Sequence, residues 1–218
     1  MLSQDEDMNI PGATHDTVDT AKAYAGIGAR ATPAAMLALM QAIGQVLAQD
    51  GYLLRSGGAQ GADSAFAQGA LEGGGNRRIY LPWPAFNGVR DDDAVVFDRL
   101  PGADQAARIA AQFHHRWDSL KRPVRKLMAR NVMQVLGDDC QTPCKFVTCW
   151  APGTQVDARG RVCDVAGGTG QAVRIAYAHK IPVFNLALPD HAHRLRQYCK
   201  SREAGTPFNS SGAGNMLG

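Results

Sequence analysis

The sequence predicts an α/β fold: a single domain built on a doubly wound, mainly parallel sheet with helices on both faces. Three observations predict it. Short apolar runs of strand length alternate with stretches whose apolar residues recur every three and four positions. Glycine-rich turns follow two of these runs, around Gly26-Ile27-Gly28 and Gly57-Gly58-Ala59-Gln60-Gly61, and a further glycine-rich segment, Gly167-Gly168-Thr169-Gly170, opens a helix. The chain has 218 residues, 45% apolar and 20% charged, which suits one packed core with short tails. Residues 1–20, polar and aperiodic, read as a disordered leader. Residues 21–200 read as the folded domain. Residues 201–218, which include Ser210-Ser211-Gly212-Ala213-Gly214, read as a flexible tail.

Each element has its own warrant. Ala23-Tyr24-Ala25-Gly26-Ile27-Gly28 reads as a buried strand running into a turn. Thr32 then offers an N-cap and Pro33 a first helical residue. Met36, Leu37, Met40, Ile43 and Leu47 mark one helical face that Gly51 ends. Tyr52-Leu53-Leu54 is a second strand. It leads through Arg55-Ser56-Gly57-Gly58-Ala59-Gln60-Gly61-Ala62-Asp63 into a helix marked by Ala62, Ala65, Phe66, Gly69 and Ala70, which Gly73-Gly74-Gly75 closes. Arg78-Ile79-Tyr80-Leu81 is a third strand, halted by Pro82.

The loop Pro82-Trp83-Pro84-Ala85-Phe86-Asn87 follows. Trp83 would wall a base or sugar and Asn87 would orient it, or the aromatics fill gaps in the core. Residues 104–116 look helical and place His114 and His115 on different faces, a poor metal pair. The next helix turns Val124, Leu127, Met128 and Val135 inward and ends at Gly137; its Arg130 and Asn131 would reach the crevice from the rim. Lys145 to Trp150 is a strand, followed by a charged, turn-rich excursion at residues 157–161. The glycine-rich start of another helix carries Thr169 as a cap or phosphate donor. Ile181 to Leu186 is the last strand, and residues 191–200 a short helix.

In such a sheet, ligands sit beyond the carboxyl ends of the strands where strand order reverses. Backbone N–H groups at a helix start have no helical partner and attract anions, and glycine keeps no side chain between backbone and guest. The turns therefore read as a phosphate cradle; the plainer alternative is a set of turns that lets strands and helices pack closely. No glycine run ends in Lys-Ser or Lys-Thr, and Gly26-Ile27-Gly28 lacks the third glycine of the dinucleotide fingerprint, so neither a Walker loop nor an ordinary NAD dehydrogenase is expected.

The net charge of +3 says little about nucleic acid. Lys121, Arg122, Arg125, Lys126 and Arg130 form an acid-free basic cluster that could meet phosphates or form a solvated helix face. The five cysteines, an odd number without paired C-x-x-C spacing, read as reduced thiols rather than a metal site. No apolar run approaches the roughly 20 residues that span a bilayer. The acidic N-terminus carries no secretory signal, so a cytoplasmic location is expected, in the host where the chain is phage-encoded.

Gly26-Ile27-Gly28-Ala29-Arg30, the Ser56-Gly57-Gly58-Ala59-Gln60-Gly61-Ala62-Asp63 segment and Gly167-Gly168-Thr169-Gly170 resemble the Rossmann-like superfamily of DNA-processing protein A and the Lonely Guy phosphoribohydrolases. The second segment is similar to the DNA-processing branch, above all to its small stand-alone bacterial and phage versions. The resemblance spans roughly residues 22–188. It implies a nucleotide-type ligand held by Gly28, Arg30, Ser56, Gly57, Gly58, Gly61, Asp63, Gly168, Thr169 and Gly170, with no required cofactor, and a homodimer.

In Lonely Guy enzymes the last motif continues to a glutamate that helps cleave an N-glycosidic bond. Here the nearest side chain in that register is Gln171, which cannot take a proton, and Asp63 is the remaining candidate acid. The principal expectation is a binder of a nucleotide or nucleotide-derived molecule. The alternatives are a single-stranded DNA-binding partner in DNA processing, using the basic cluster, and a nucleoside monophosphate N-glycosidase.

Overall fold

The structure, a computed structural model, describes residues 22–205. The expected leader and most of the expected tail lie outside the described residues. Eight strands and six helices run in the order β1 (Ala23–Gly28), α1 (Ala34–Gln49), β2 (Leu53–Ser56), α2 (Ala62–Glu72), β3 (Arg77–Leu81), β4 (Ala94–Val96), α3 (Ala103–Gln112), α4 (Arg122–Leu136), β5 (Val147–Trp150), β6 (Gln155–Val156), β7 (Val162–Asp164), α5 (Thr169–Ala178), β8 (Val183–Asn185) and α6 (Pro189–Glu203). The last helix thus runs three residues into the stretch read as tail. Six strands form one parallel sheet in the order β4-β3-β2-β1-β5-β8, and β6 and β7 form a separate antiparallel hairpin.

The α/β, doubly wound architecture is as the alternation predicts. Successive residues of β1 point to opposite faces, as a period of two requires. Ala23, Ala25 and Ile27 join a core with α3, α4 and α5, and Tyr24 joins a core with α1, α2 and α6. In the second core Tyr24 stacks on Phe146 at 5.7 Å and meets Tyr52 and Phe66 edge-on. Asn185, fully buried at the end of β8, donates to the Ala151 carbonyl and the Thr154 hydroxyl and accepts from the Ala151 and Ala187 N–H groups. It ties the chain leaving β5 to the end of β8.

Helices α1 and α2 cross at van der Waals contact because each offers a glycine. A Cβ on Gly69 would stand 1.9 Å from the Gln41 carbonyl oxygen, and one on Gly44 would stand 2.6 Å from that of Phe66.

Several local readings need correction. Thr32 does not cap α1: its hydroxyl donates to the Ala29 carbonyl at 2.6 Å, bracing the first turn, and Pro33 takes the cap position. Helix α3 ends at Gln112, so His114 and His115 lie beyond it, and their rings stack in parallel at 5.5 Å instead of facing apart. The short strand β4 and the β6–β7 hairpin were not expected.

Candidate functional site

Strand order reverses between β1 and β5, because the chain leaves β1 toward β2 and leaves β5 toward β8. Beyond the carboxyl ends of these strands lies a cavity of about 460 Å³. Its walls come from the turn after β1 (residues 28–31), Ala59 and Asp63 of the second turn, residues 166–169 at the start of α5, and Leu127, Met128, Arg130, Asn131 and Gln134 of α4. Segments far apart in the chain meet here because parallel strands all open their carboxyl ends on the same edge.

The second turn is filled from within. A Cβ on Gly57 would fall 1.3 Å from Arg130 Nη1, so the glycine is there to admit that guanidinium. With its amide assigned so that the oxygen faces Gly57, the orientation that satisfies both ends, Gln134 accepts from the Gly57 N–H at 2.9 Å and from Arg130 Nη1 at 2.8 Å, and donates to Asn131 Oδ1. Arg130 Nη1 also lies 3.6 Å from Asp63 Oδ2, with both side chains almost wholly buried. The Ala59 N–H donates to Asp63 Oδ2 at 3.3 Å. The backbone N–H groups of Gly57 and Gly28 also favour that carboxylate. Asp63 is therefore an internal anion seated where the glycine turn was expected to hold a phosphate.

Burial pushes the Asp63 carboxyl above its ordinary value, against the pull of Arg130 and of the three N–H groups. Burial also pulls Arg130 below its ordinary value, against Asp63. Arg130 Nε is buried without a hydrogen-bond partner.

Positive φ confines Gly58 (+66°) and Gly61 (+89°) to the left-handed region, and a Cβ on Gly61 would press on the Arg30 carbonyl at 2.7 Å. The first two turns thus pack backbone against backbone. The third turn stays open: nothing lies within 4 Å of a Cβ on Gly167 or Gly168, both exposed. Thr169 opens α5 with Gly168 as N-cap and no side-chain cap. Arg30 is exposed at the cavity and, among the described residues, forms no ion pair. Its charge is the one the cavity offers a guest without first breaking a pair.

The structure brings Gly28, Arg30, Asp63, Gly168, Thr169, Arg130 and Asn131 to this one cavity. It places the other expected residues elsewhere. Ser56 is buried and donates to the Gly26 carbonyl at 2.7 Å, closing β2 on β1. Gly57, Gly58 and Gly61 serve packing, as above. Trp83 meets Phe86 edge-on at 5.1 Å in a small core with Ile79 and Leu81, and Asn87 donates to the Gly58 carbonyl, so that loop braces the second turn from behind. Gly170 is pressed on the Val165 carbonyl. Gln171 is buried, donating to the Ala110 carbonyl and accepting from Asn131, so the amide in the expected acid's register points into the core.

The basic cluster does not act as one surface. Arg130 is buried on Asp63, Lys126 pairs with Asp98 at 2.8 Å, and Arg125 donates to the Leu120 and Asp118 carbonyls over Trp117. Lys121 and Arg122 are left exposed. Among the described residues no group of three or more His, Cys, Asp or Glu could hold a metal ion, and no helix is long and apolar enough to cross a membrane. The five cysteines are free. Burial pushes the Cys140 and Cys199 thiols up to about 11 and those of Cys144 and Cys149 up to about 12, which keeps them protonated.

No protein-family model matches the sequence, and no curated protein does. Among solved structures the chain is similar to DNA processing protein A from Helicobacter pylori, described for its single-stranded DNA binding mode. The identity is 14%, with 87% of this chain and 84% of that chain covered and a TM-score of 0.45.

Proposed function

We propose that the chain binds a nucleotide or nucleotide-derived small molecule in the cavity between β1 and β5. One observation carries the reading: three glycine-bearing turns and the polar face of α4 surround a single space of about 460 Å³ with an unpaired Arg30 at its edge. That volume falls within the range of small-molecule sites. Because Asp63 and Gln134 take up the amides of the second turn, a phosphate belongs at the open third turn, beside the start of α5 and Arg30, where both the N–H groups of the helix start and the charge favour it. Leu127, Met128 and Ala172 offer an apolar wall for a base. Arg130 and Asn131 add polar side chains to the same wall.

Calorimetric titration against a panel of nucleoside monophosphates and diphosphates tests this. At least one should bind, and Arg30→Ala should weaken that binding by about tenfold or more, as expected for loss of a charge-assisted hydrogen bond. Arg30 is exposed, so the variant should fold like the parent. Absence of heat with every member of the panel would overturn the reading.

A further inference from the structure

A second cavity, of about 500 Å³, lies at the opposite end of the sheet and shares no residue with the first. It opens at the amino end of β8, between the turn of the β6–β7 hairpin, the last turn of α5 and the outer side of α6. Arg161, Lys180, His191 and Arg194 line it together with the rings of Tyr177 and Phe184, and no carboxylate does.

The four basic groups are not equivalent. Arg161 is neutralised by Asp157, which it meets at 2.7 Å and which also accepts from the Tyr177 hydroxyl. Arg194 lies over the Phe184 ring at 5.6 Å and, among the described residues, has no carboxylate partner. Lys180 has none either.

His191 is oriented by the backbone. Its Nδ1 accepts the Asn185 N–H at 3.1 Å, so the neutral ring carries its proton on Nε2. Burial and the neighbouring Arg194 hold this imidazole below its ordinary value, against the opposing pull of Asp190. The ring therefore presents an N–H donor and no free acceptor.

Lys180 adds an independent sign. It follows the C-cap of α5 with φ of +60°, a left-handed position that glycine usually fills at a helix end. A lysine there carries backbone strain that a glycine would not. The helix C-terminus favours a cation nearby, which accounts for one positive charge but not for three donor-bearing side chains lining one cavity whose own lining includes no acid.

We propose that this cavity binds a phosphate-type oxyanion, held by Lys180, Arg194 and the Nε2–H of His191. Donors of this kind, without acceptors among them, fit a tetrahedral anion with several lone pairs and repel a cationic or hydrogen-bond-donating guest. The anion is either free phosphate or the phosphate of a small ester. The proposal does not depend on the nucleotide reading.

The test is calorimetric titration with inorganic phosphate and, separately, with ribose 5-phosphate. Both are run on the Arg30→Ala chain, so that the first cavity has lost its unpaired charge. Binding of either probe, weakened about tenfold by Arg194→Gln and by Lys180→Gly, is the expected result. A stronger response to inorganic phosphate identifies the free ion as the guest, and a stronger response to the sugar phosphate identifies an ester. Lys180→Gly is the decisive variant: it relieves the positive φ, so its melting temperature should equal or exceed the parent's even as the anion is lost. If neither probe binds, or if both variants bind as tightly as the parent, the proposal is wrong.

Discussion

Arg130→Met is expected to cost about 3–5 kcal/mol of folding stability, a large share of the 5–15 kcal/mol typical of a domain. The side chain is 6% exposed and its partner Asp63 is 4% exposed, so the methionine leaves a carboxylate buried without its counter-charge. Gln134 loses a donor at the same time.

The loss should depend on pH, and its sign follows from the protonation states. Asp63 already sits above its ordinary value because burial penalises the charged form, and Arg130 is the largest influence pulling it back. Without Arg130 the folded-state value rises further above the unfolded value of about 3.9. The penalty is then fully present at pH above the folded value. It shrinks as pH falls through that value, where the folded chain takes up a proton that the unfolded chain does not. Urea melts of parent and variant across a pH series check this: the gap should narrow as pH falls, and a gap that stays constant over the whole acid limb of the series would mean that the pair is not what holds the turn.

A double-mutant cycle sharpens the point. Gly57→Ala alone drives a methyl into Arg130, whereas beside Arg130→Met the clash with the guanidinium is gone, so the two substitutions should be less than additive.

Gly69→Ala is expected to destabilise by about 2–3 kcal/mol, near the upper end of the usual cost of overpacking. On helix propensity alone the change should help by about 0.5–1 kcal/mol, since glycine is a poor residue in a helix interior. Packing decides the sign. The new Cβ would stand 1.9 Å from the Gln41 carbonyl oxygen and 2.7 Å from the carbon of that carbonyl. Backbone cannot rotate away as a side chain does, so α1 and α2 must separate, and Met40, Ile43 and Phe66 lose contacts in the core between the helices and the sheet. Gly168→Ala is the control: nothing lies within 4 Å of its Cβ, and its φ of −64° suits alanine, so its thermal melt should match the parent's.

The sequence carried the sheet clearly because its evidence was local. Alternating periodicity and glycine turns are written in consecutive residues, and parallel strands follow from the crossovers between them. The short elements were illegible for the same reason. Strand β4 has three half-buried residues after three aspartates, and β6 has two exposed ones, too few to show a period.

At the site, Arg30 came from the resemblance of Gly26-Ile27-Gly28-Ala29-Arg30 to a known motif, and the glycine turns could be read from the local sequence. The fate of the second turn could not, because it depends on Arg130, 67 positions beyond Asp63 (130 − 63). A trace of it was present. Leu127, Arg130, Asn131 and Gln134 are spaced by three and four on α4, which puts polar residues on the same stripe as an apolar one. A polar residue on a core-facing stripe is one that finds a buried partner. The sequence places Arg130 and Asn131 at the rim of the crevice and Arg130 also in a basic cluster; that Arg130 closes on Asp63 and Gln134 on Arg130 depends on contacts no local pattern records.

In the proposed binding mode, loops distant in the chain close around one phosphate-bearing guest. The most direct measurement is a backbone amide NMR titration with the nucleotide that gives the largest heat. The amides of Ala29, Arg30, Gly167, Gly168 and Thr169 should shift together with those of Met128 and Asn131, along one saturating curve, while the Gly57 amide, held by Gln134, moves little. Shifts confined to a single turn, or to the far end of the sheet around Lys180, would contradict that mode.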